Sequence, residues 1–332
     1  MPAAATPAAL SRRQFIRRSA AALAAPAAAK MFIAPAAAQQ PAAGASQLTH
    51  YQEAQIGGKV RGPHIWLRWN NAPLVSYRAH GTQKYPYFYP VSGPVSGLSL
   101  TCETGLPWPH HRSLWLGCDK LNGANYWQGG LEHGQIVSGG PRVASSSPTS
   151  AVIEDACVWA VGGKDPDMAD TRRFTITVAG PRLWTLDADI EWKAVKPVTV
   201  QKTNHSLFAI RSAADIAPTG GGTLRNSEGQ AGEKATYGKP ARWCAIYGRR
   251  AIPGADIVEG IALFDHPQNP WDNCPWFTRD YGNISPTPFQ WLDKPWQLEA
   301  GQSVRLRYRV VAFAGDPEEA RLDALHAQWA RG

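Results

Sequence analysis

Phe174-Thr175-Ile176-Thr177-Val178, followed beyond Gly180-Pro181 by Leu183-Trp184-Thr185-Leu186-Asp187-Ala188-Asp189-Ile190-Glu191-Trp192, alternates apolar with polar side chains. A period of two is the signature of strands that bury one face. The same habit recurs outward in both directions, at residues 64–69, 74–77 and 151–161, then 206–211, 242–247, 257–264 and 304–313, with Gly, Pro, Asn and Asp between the runs. One helix is expected, at the C-terminus, with Asp316 as N-cap and Pro317 in its first turn. Leu322, Leu325, His326 and Trp329 fall on one face of it, so His326 reads as a packing residue. An all-β chain of this length has to bury one face of each sheet and protect its edges. The expected fold is therefore a large antiparallel β-sandwich with a short C-terminal helix, one domain over residues 48–332.

Residues 1–38 read as an export signal. Ser11-Arg12-Arg13-Gln14-Phe15-Ile16 has the twin-arginine pattern, an Ala-rich apolar stretch follows, and Ala36-Ala37-Ala38 supplies small residues for cleavage. Residues 39–47 read as a flexible leader. The expected partner during export is the twin-arginine translocase, and the expected destination of the folded protein is the periplasm or beyond. Arg12, Arg13, Arg17, Arg18 and Lys30 lie in the signal and no acidic residue does, so its removal lowers the formal charge from +8 to +3. No Lys/Arg stripe remains, which argues against a nucleic-acid partner. No later apolar run approaches the roughly 20 residues of a membrane-spanning helix.

Five widely spaced cysteines without a CxxC pair, in a chain that folds before export, read as free thiols. Cys274, between Asn273 and Pro275, is expected to be the exposed one. Of the 14 tryptophans, about half should fill the core. Trp108, Trp115, Trp127, Trp271 and Trp276 stand beside polar or proline-rich loops, where they can form walls on which sugar rings stack.

Four loops carry the candidate chemistry. The first, residues 84–90, is rich in Tyr and Pro and reads as an extended edge segment in which Tyr87 and Tyr89 either pack or touch ligand. The second is Pro109-His110-His111-Arg112-Ser113-Leu114-Trp115, with Glu103 before it and Asn122-Gly123-Ala124-Asn125-Tyr126-Trp127 and His133 after it. Imidazoles move protons near neutrality or bind metals, and guanidinium forks onto carboxylates and sugar oxygens. On a strand His110 and His111 would point to opposite faces, one into a pocket and one against the protein. The third loop, residues 220–232, is Gly-rich but lacks the P-loop ending, and reads as a mobile segment that presents Glu228 or as a solvated turn. The fourth carries Asp265-His266-Pro267 and Trp276-Phe277-Thr278-Arg279-Asp280-Tyr281-Gly282. There, a general acid/base site and a buried Arg279-Asp280 pair are both open readings. No zincin, serine-hydrolase, dinucleotide or EF-hand motif is present.

At these loops the chain resembles a family of secreted bacterial proteins known as "methane oxygenase PmoA-like". The resemblance rests on residues 84–90, 109–115, 122–127, 207–211, 237–240 and 260–289, with Pro-His-His-Arg and Trp-x-x-Arg-Asp-Tyr-Gly in order. It implies a β-supersandwich similar to the galactose mutarotase superfamily, whose members bind or transform carbohydrates in an open groove. It further implies His110 or His111 as general acid, Asp280 or Glu228 as base, and Arg112 and Arg279 as positioning groups. Tyr281, Trp276, Trp115, Trp108, Asn125, Glu103, His133, His266 and Tyr87 complete the expected substrate contacts. The leading expectation is a periplasmic carbohydrate-active enzyme that hydrolyses, eliminates or epimerises a saccharide or glycoside. A non-catalytic glycan-binding protein is the first alternative. A metalloprotein holding copper or zinc through His110, His111, His133 and His266 is the second, and no other cofactor is implied.

Overall fold

The computed structural model describes residues 46–53, 64–252, 255–271 and 273–332. The expected export signal and nearly all of the leader lie outside the described residues. Among the described residues two antiparallel sheets make up the fold. The first runs in the order Leu48–Glu53, His64–Trp69, Ala72–Arg78, Tyr87–Val91, Leu114–Leu121, Ser206–Arg211, Asn283–Pro286 and Trp276–Arg279, with three short strands attached beside this path. The second runs Thr223–Asn226, Trp243–Ile252, Ala255–Asp265, Ser303–Ala314, Leu183–Ala194, Met168–Gly180, Ser150–Ala160 and Gln135–Ser138, with Arg142–Ser146 beside it. The alternating runs Phe174 to Val178 and Leu183 to Trp192 form a hairpin of the second sheet, with Phe174 opposite Ala188 and Ile176 opposite Leu186.

The sheets meet through alternate residues of each strand. Tyr77 and Phe88 of the first sheet touch Phe174 of the second at ring-centroid distances of 5.4 and 4.8 Å, and Phe208 stacks on Tyr308 at 5.3 Å. Leu114, Leu116, Cys118 and Ile210 share that inner side and are buried. Burying this much aromatic and aliphatic surface is the main force holding the layers together. The residues between them, Tyr87, Trp115, Gly117, Asp119 and Arg211, therefore project from the outer side of the first sheet. No helix among the described residues is long and apolar enough to cross a membrane.

Residues 84–90 do not form an edge: Tyr87–Val91 lies inside the first sheet, and Pro90 sits where the register breaks between Tyr77 opposite Phe88 and Val75 opposite Val91, so its missing N–H breaks no ladder. The Gly-rich loop contains the strand Thr223–Asn226 and is followed by a one-turn helix, Glu233–Thr236. Asp316 accepts the Glu319 N–H at 2.8 Å, but Arg321 at φ 56° interrupts the turn, and the C-terminal helix runs only over Leu322–Trp329. His326 is buried in that helix, against Phe264 and Trp329, as expected. All five cysteines are free thiols, but Cys274 is buried at 2 % exposure, and burial pushes its thiol pKa up. Its thiol donates to the Pro275 carbonyl at 3.3 Å.

Candidate functional site

Strand register assembles the site on the outer side of the first sheet. Tyr87 lies opposite Trp115, Trp115 opposite Ala209, Arg211 opposite Asn283, and Asn283 opposite Arg279. Period-two alternation puts all of these side chains on one face. The same alternation turns Trp276 to the core: it is fully buried and its indole N–H donates to the Ala241 carbonyl at 2.8 Å. Phe277, one residue on, faces the site.

The His110-His111 segment is a turn, closed by the His111 N–H on the Trp108 carbonyl at 3.0 Å. Strand alternation therefore does not separate the two imidazoles, whose ring centroids are 4.6 Å apart and edge to face. His111 is the inner one, 2 % exposed, stacked on Trp115 at 5.4 Å and beside Tyr281 at 6.1 Å. Arg211 donates through Nη1 to His111 Nδ1 at 3.2 Å and through Nη2 to the Leu106 carbonyl at 2.9 Å, and lies over the Tyr281 ring at 4.4 Å. A guanidinium has only donors, so Nδ1 accepts and the imidazole proton resides on Nε2. Burial, the neighbouring His110 and Arg211 push the His111 pKa down to about 2. Burial, then His205 and Arg211, bring His110 down to about 4. Both rings are neutral near pH 7 and offer no proton as cations.

A third imidazole completes the group. His205 Nδ1 is 3.2 Å from Asp119 Oδ2, the Thr203 hydroxyl donates to Asp119 Oδ1, and the His205 N–H donates to that hydroxyl at 3.0 Å. The carboxylate thus fixes the ring so that Nε2 is the nitrogen left for other partners. Trp127 stacks on one face of His205 at 5.6 Å, and Phe277 stands at its edge at 6.2 Å. Trp127 can lie this close to the sheet because Gly117 is beneath it: a Cβ there would stand 2.8 Å from the Tyr126 carbonyl and 3.3 Å from the indole.

Arg279 closes the other end. Its guanidinium lies over Phe277 at 4.4 Å and Tyr237 at 4.5 Å and donates to Glu233 Oε1 at 2.9 Å. Asp280 is not its partner. Asp280 and Glu233 bond reciprocally, Glu233 N–H to Asp280 Oδ1 at 2.8 Å and Asp280 N–H to Glu233 Oε2 at 3.0 Å, which fastens the Arg279 loop to the one-turn helix.

The expected residues divide accordingly. His110, His111, Trp115, Trp127, Arg279 and Tyr281 come together. Glu103, Tyr87 and Arg112 lie along the same sheet face, and Trp108, 45 % exposed, borders His110. Asn125 is taken up by its own turn, accepting the Trp127 and Gln128 N–H groups. Glu228 faces Ser227 and Arg242 on the side of the C-terminal helix. His266 is buried against Trp329, His133 turns to Glu132 at the surface, and Trp271 packs on Phe289 and Trp296. The four histidines proposed as metal ligands are not gathered. Among the described residues no three His, Cys, Asp or Glu side chains are grouped to hold a metal. The residues missed by sequence reasoning are Asp119, His205, Arg211, Glu233 and Tyr237. Asp119 and Arg211 left a trace as ionisable groups in otherwise apolar strand runs.

The depressed imidazole pKa values have a consequence for stability. Because the folded pKa values lie below the ordinary value of 6.5, the unfolded chain takes up these protons first, and acid favours unfolding. The contribution of the pair is fully present above about pH 6.5 and is lost as pH falls toward 4 and below. Denaturant titrations at pH 7 and pH 4.5 should show this loss, and His111→Phe should reduce it. An unchanged pH dependence in that variant contradicts the assignment.

No curated protein matches the sequence significantly. The structure is similar to a protein described as an aldose 1-epimerase from Klebsiella pneumoniae subsp. pneumoniae, with 10 % identity and a TM-score of 0.38, over 86 % of this chain and 88 % of that one. It is also similar to galactose 1-epimerase from Lactobacillus acidophilus NCFM, with 10 % identity and a TM-score of 0.38, over 82 % of this chain and 100 % of that one. The model of one protein family matches residues 64–327, a span that contains all four loops and every residue of the site. The chain belongs to DUF6807, a family of unknown function.

Proposed function

We propose that the outer face of the first sheet binds a saccharide and moves a proton on it through His205, in a protein exported folded by the twin-arginine route. The observation that carries the reading is the convergence of a carboxylate-held imidazole, His205 with Asp119, and the Arg279 guanidinium, both seated on the buried rings of Trp127 and Phe277. Sugars present apolar ring faces and hydroxyls together, and the exposed indole of Trp108 beside His110 can meet the first while the forked guanidinium and the imidazole meet the second. The resemblance drawn from the four loops points the same way.

Within this reading His205 Nε2 takes or gives a proton at a sugar oxygen or an acidic carbon, while Asp119 holds the ring in place. Arg279, steadied by Glu233, orients hydroxyls. His111, neutral and donating from Nε2, serves as a hydrogen-bond donor. The expectation that His110 or His111 supplies an acidic proton gives way here to His205, because burial beside Arg211 keeps both of those rings neutral.

The test is incubation of the purified protein with a panel of oligosaccharides. Mass spectrometry reads hydrolysis as gain of water and elimination as cleavage without it, and proton NMR of the anomeric region reads epimerisation, which leaves mass unchanged. A product that depends on His205 is expected. No product and no binding from any saccharide class contradicts the reading.

A further inference from the structure

The row of side chains continues past Trp115 in the direction away from Arg279. Arg78 lies opposite Tyr87, which lies opposite Trp115. Arg78 is ion-paired with Glu103 and lies over the rings of Tyr89 at 5.0 Å and Trp66 at 5.9 Å. The Tyr87 hydroxyl donates to Glu103 Oε1 at 2.7 Å, the same oxygen that Arg78 engages. Oε2 has no hydrogen-bond partner among the described residues, and the Glu103 side chain is 32 % exposed. Burial, then the bond to Glu103, pushes the Tyr87 pKa up to about 12, so the phenol keeps its proton and goes on occupying Oε1.

Arg112 stands on the other side of Tyr87, 5.9 Å over its ring, and donates to the Thr104 hydroxyl at 2.9 Å. Among the described residues no carboxylate pairs with it. A carboxylate with one free oxygen thus sits at the Tyr87 hydroxyl and a guanidinium with free donors over its ring, and they use none of the groups around His205.

We infer that Glu103, Arg112 and Tyr89, set in place by the buried Tyr87, form a second saccharide subsite, so that the ligand of this face is an oligosaccharide whose chain runs across the strands. This rests on the saccharide reading above and extends it to substrate length. From the Tyr87–Val91 strand to the Trp276–Arg279 strand there are four inter-strand steps, roughly 19 Å at the usual strand spacing. One sugar ring cannot bridge that row, whereas a short chain can occupy both ends. Glu103 Oε2 accepts from a hydroxyl of the outer unit, and Arg112 donates to a ring or hydroxyl oxygen of it.

The test is calorimetric titration with gluco-, galacto- and xylo-oligosaccharide ladders of one to five units, in α- and β-linked series. For the ladder that binds, Kd should fall about tenfold between one unit and three, the worth of one hydrogen bond to a charged group. Glu103→Gln, which turns the free acceptor into a donor, should erase that gain while moving the single-unit Kd less than about twofold. Arg112→Met reads the same effect if Glu103→Gln fails to fold. A Kd independent of length, or a gain that survives both variants, overturns the subsite and leaves the saccharide reading standing. Failure of every ladder to bind overturns both.

Discussion

Turnover of the responsive saccharide is expected to fall about 10²- to 10⁴-fold in His205→Gln, the usual range for loss of a positioned acid/base group, with the thermal midpoint nearly unchanged. The ring is half-buried at 26 % exposure and lies between Trp127 and Phe277, so a glutamine of similar length fills the slot without opening a cavity. Its amide can still bond Asp119, but it cannot take up a proton. Asp119→Asn should also lower turnover, because an amide no longer fixes the imidazole as the carboxylate does. A merely structural His205 would give the opposite pattern, with stability falling and the rate per folded molecule unchanged.

Asp170→Ala is expected to cost about 3–5 kcal/mol, the penalty for orphaning one member of a buried ion pair. Asp170 and Arg172 share a strand and lie between the sheets, with side chains 0 % and 1 % exposed. Arg172 donates through Nε at 2.6 Å and Nη2 at 2.8 Å to the two carboxylate oxygens, and the Trp159 indole N–H donates to the same group. Removing the carboxylate strands a guanidinium and an indole N–H away from water. Chemical denaturation should show a large drop in midpoint with little change in slope. Replacing both partners, Asp170→Leu with Arg172→Met, should recover much of the loss, because no buried charge then remains. If Asp170→Ala costs under about 1 kcal/mol, the pair is not buried as described.

How much of this was written plainly in the sequence depended on whether a feature was local. Ser206–Arg211 and His64–Trp69 were delimited to the residue by β-rich composition between turn-forming residues, and the strands on either side of Gly180-Pro181 were marked by alternation. The His110-His111-Arg112 segment announced a site through composition alone. Its geometry was less visible, since a turn closed on Trp108 brings together two rings that a strand would separate. Long-range pairing was the main loss. His205 meets Asp119 across 86 positions and Arg279 meets Glu233 across 46, and no spacing rule links such residues. Sequence adjacency instead left open an Arg279-Asp280 pair that the fold does not make. Parity along Trp276–Arg279 would have flagged Trp276 as a core residue once Arg279 was assigned to the site face.

The central claim is that the saccharide is bound at His205 and His111. Histidine-selective ¹⁵N NMR during titration with the panel tests it most directly, because the chain carries imidazoles at the proposed site and others, His266 and His326, packed beside Trp329. The account predicts that a binding saccharide shifts the His205 and His111 resonances and leaves those of His266 and His326 in place. A saccharide that binds while His205 and His111 stay unmoved would contradict it.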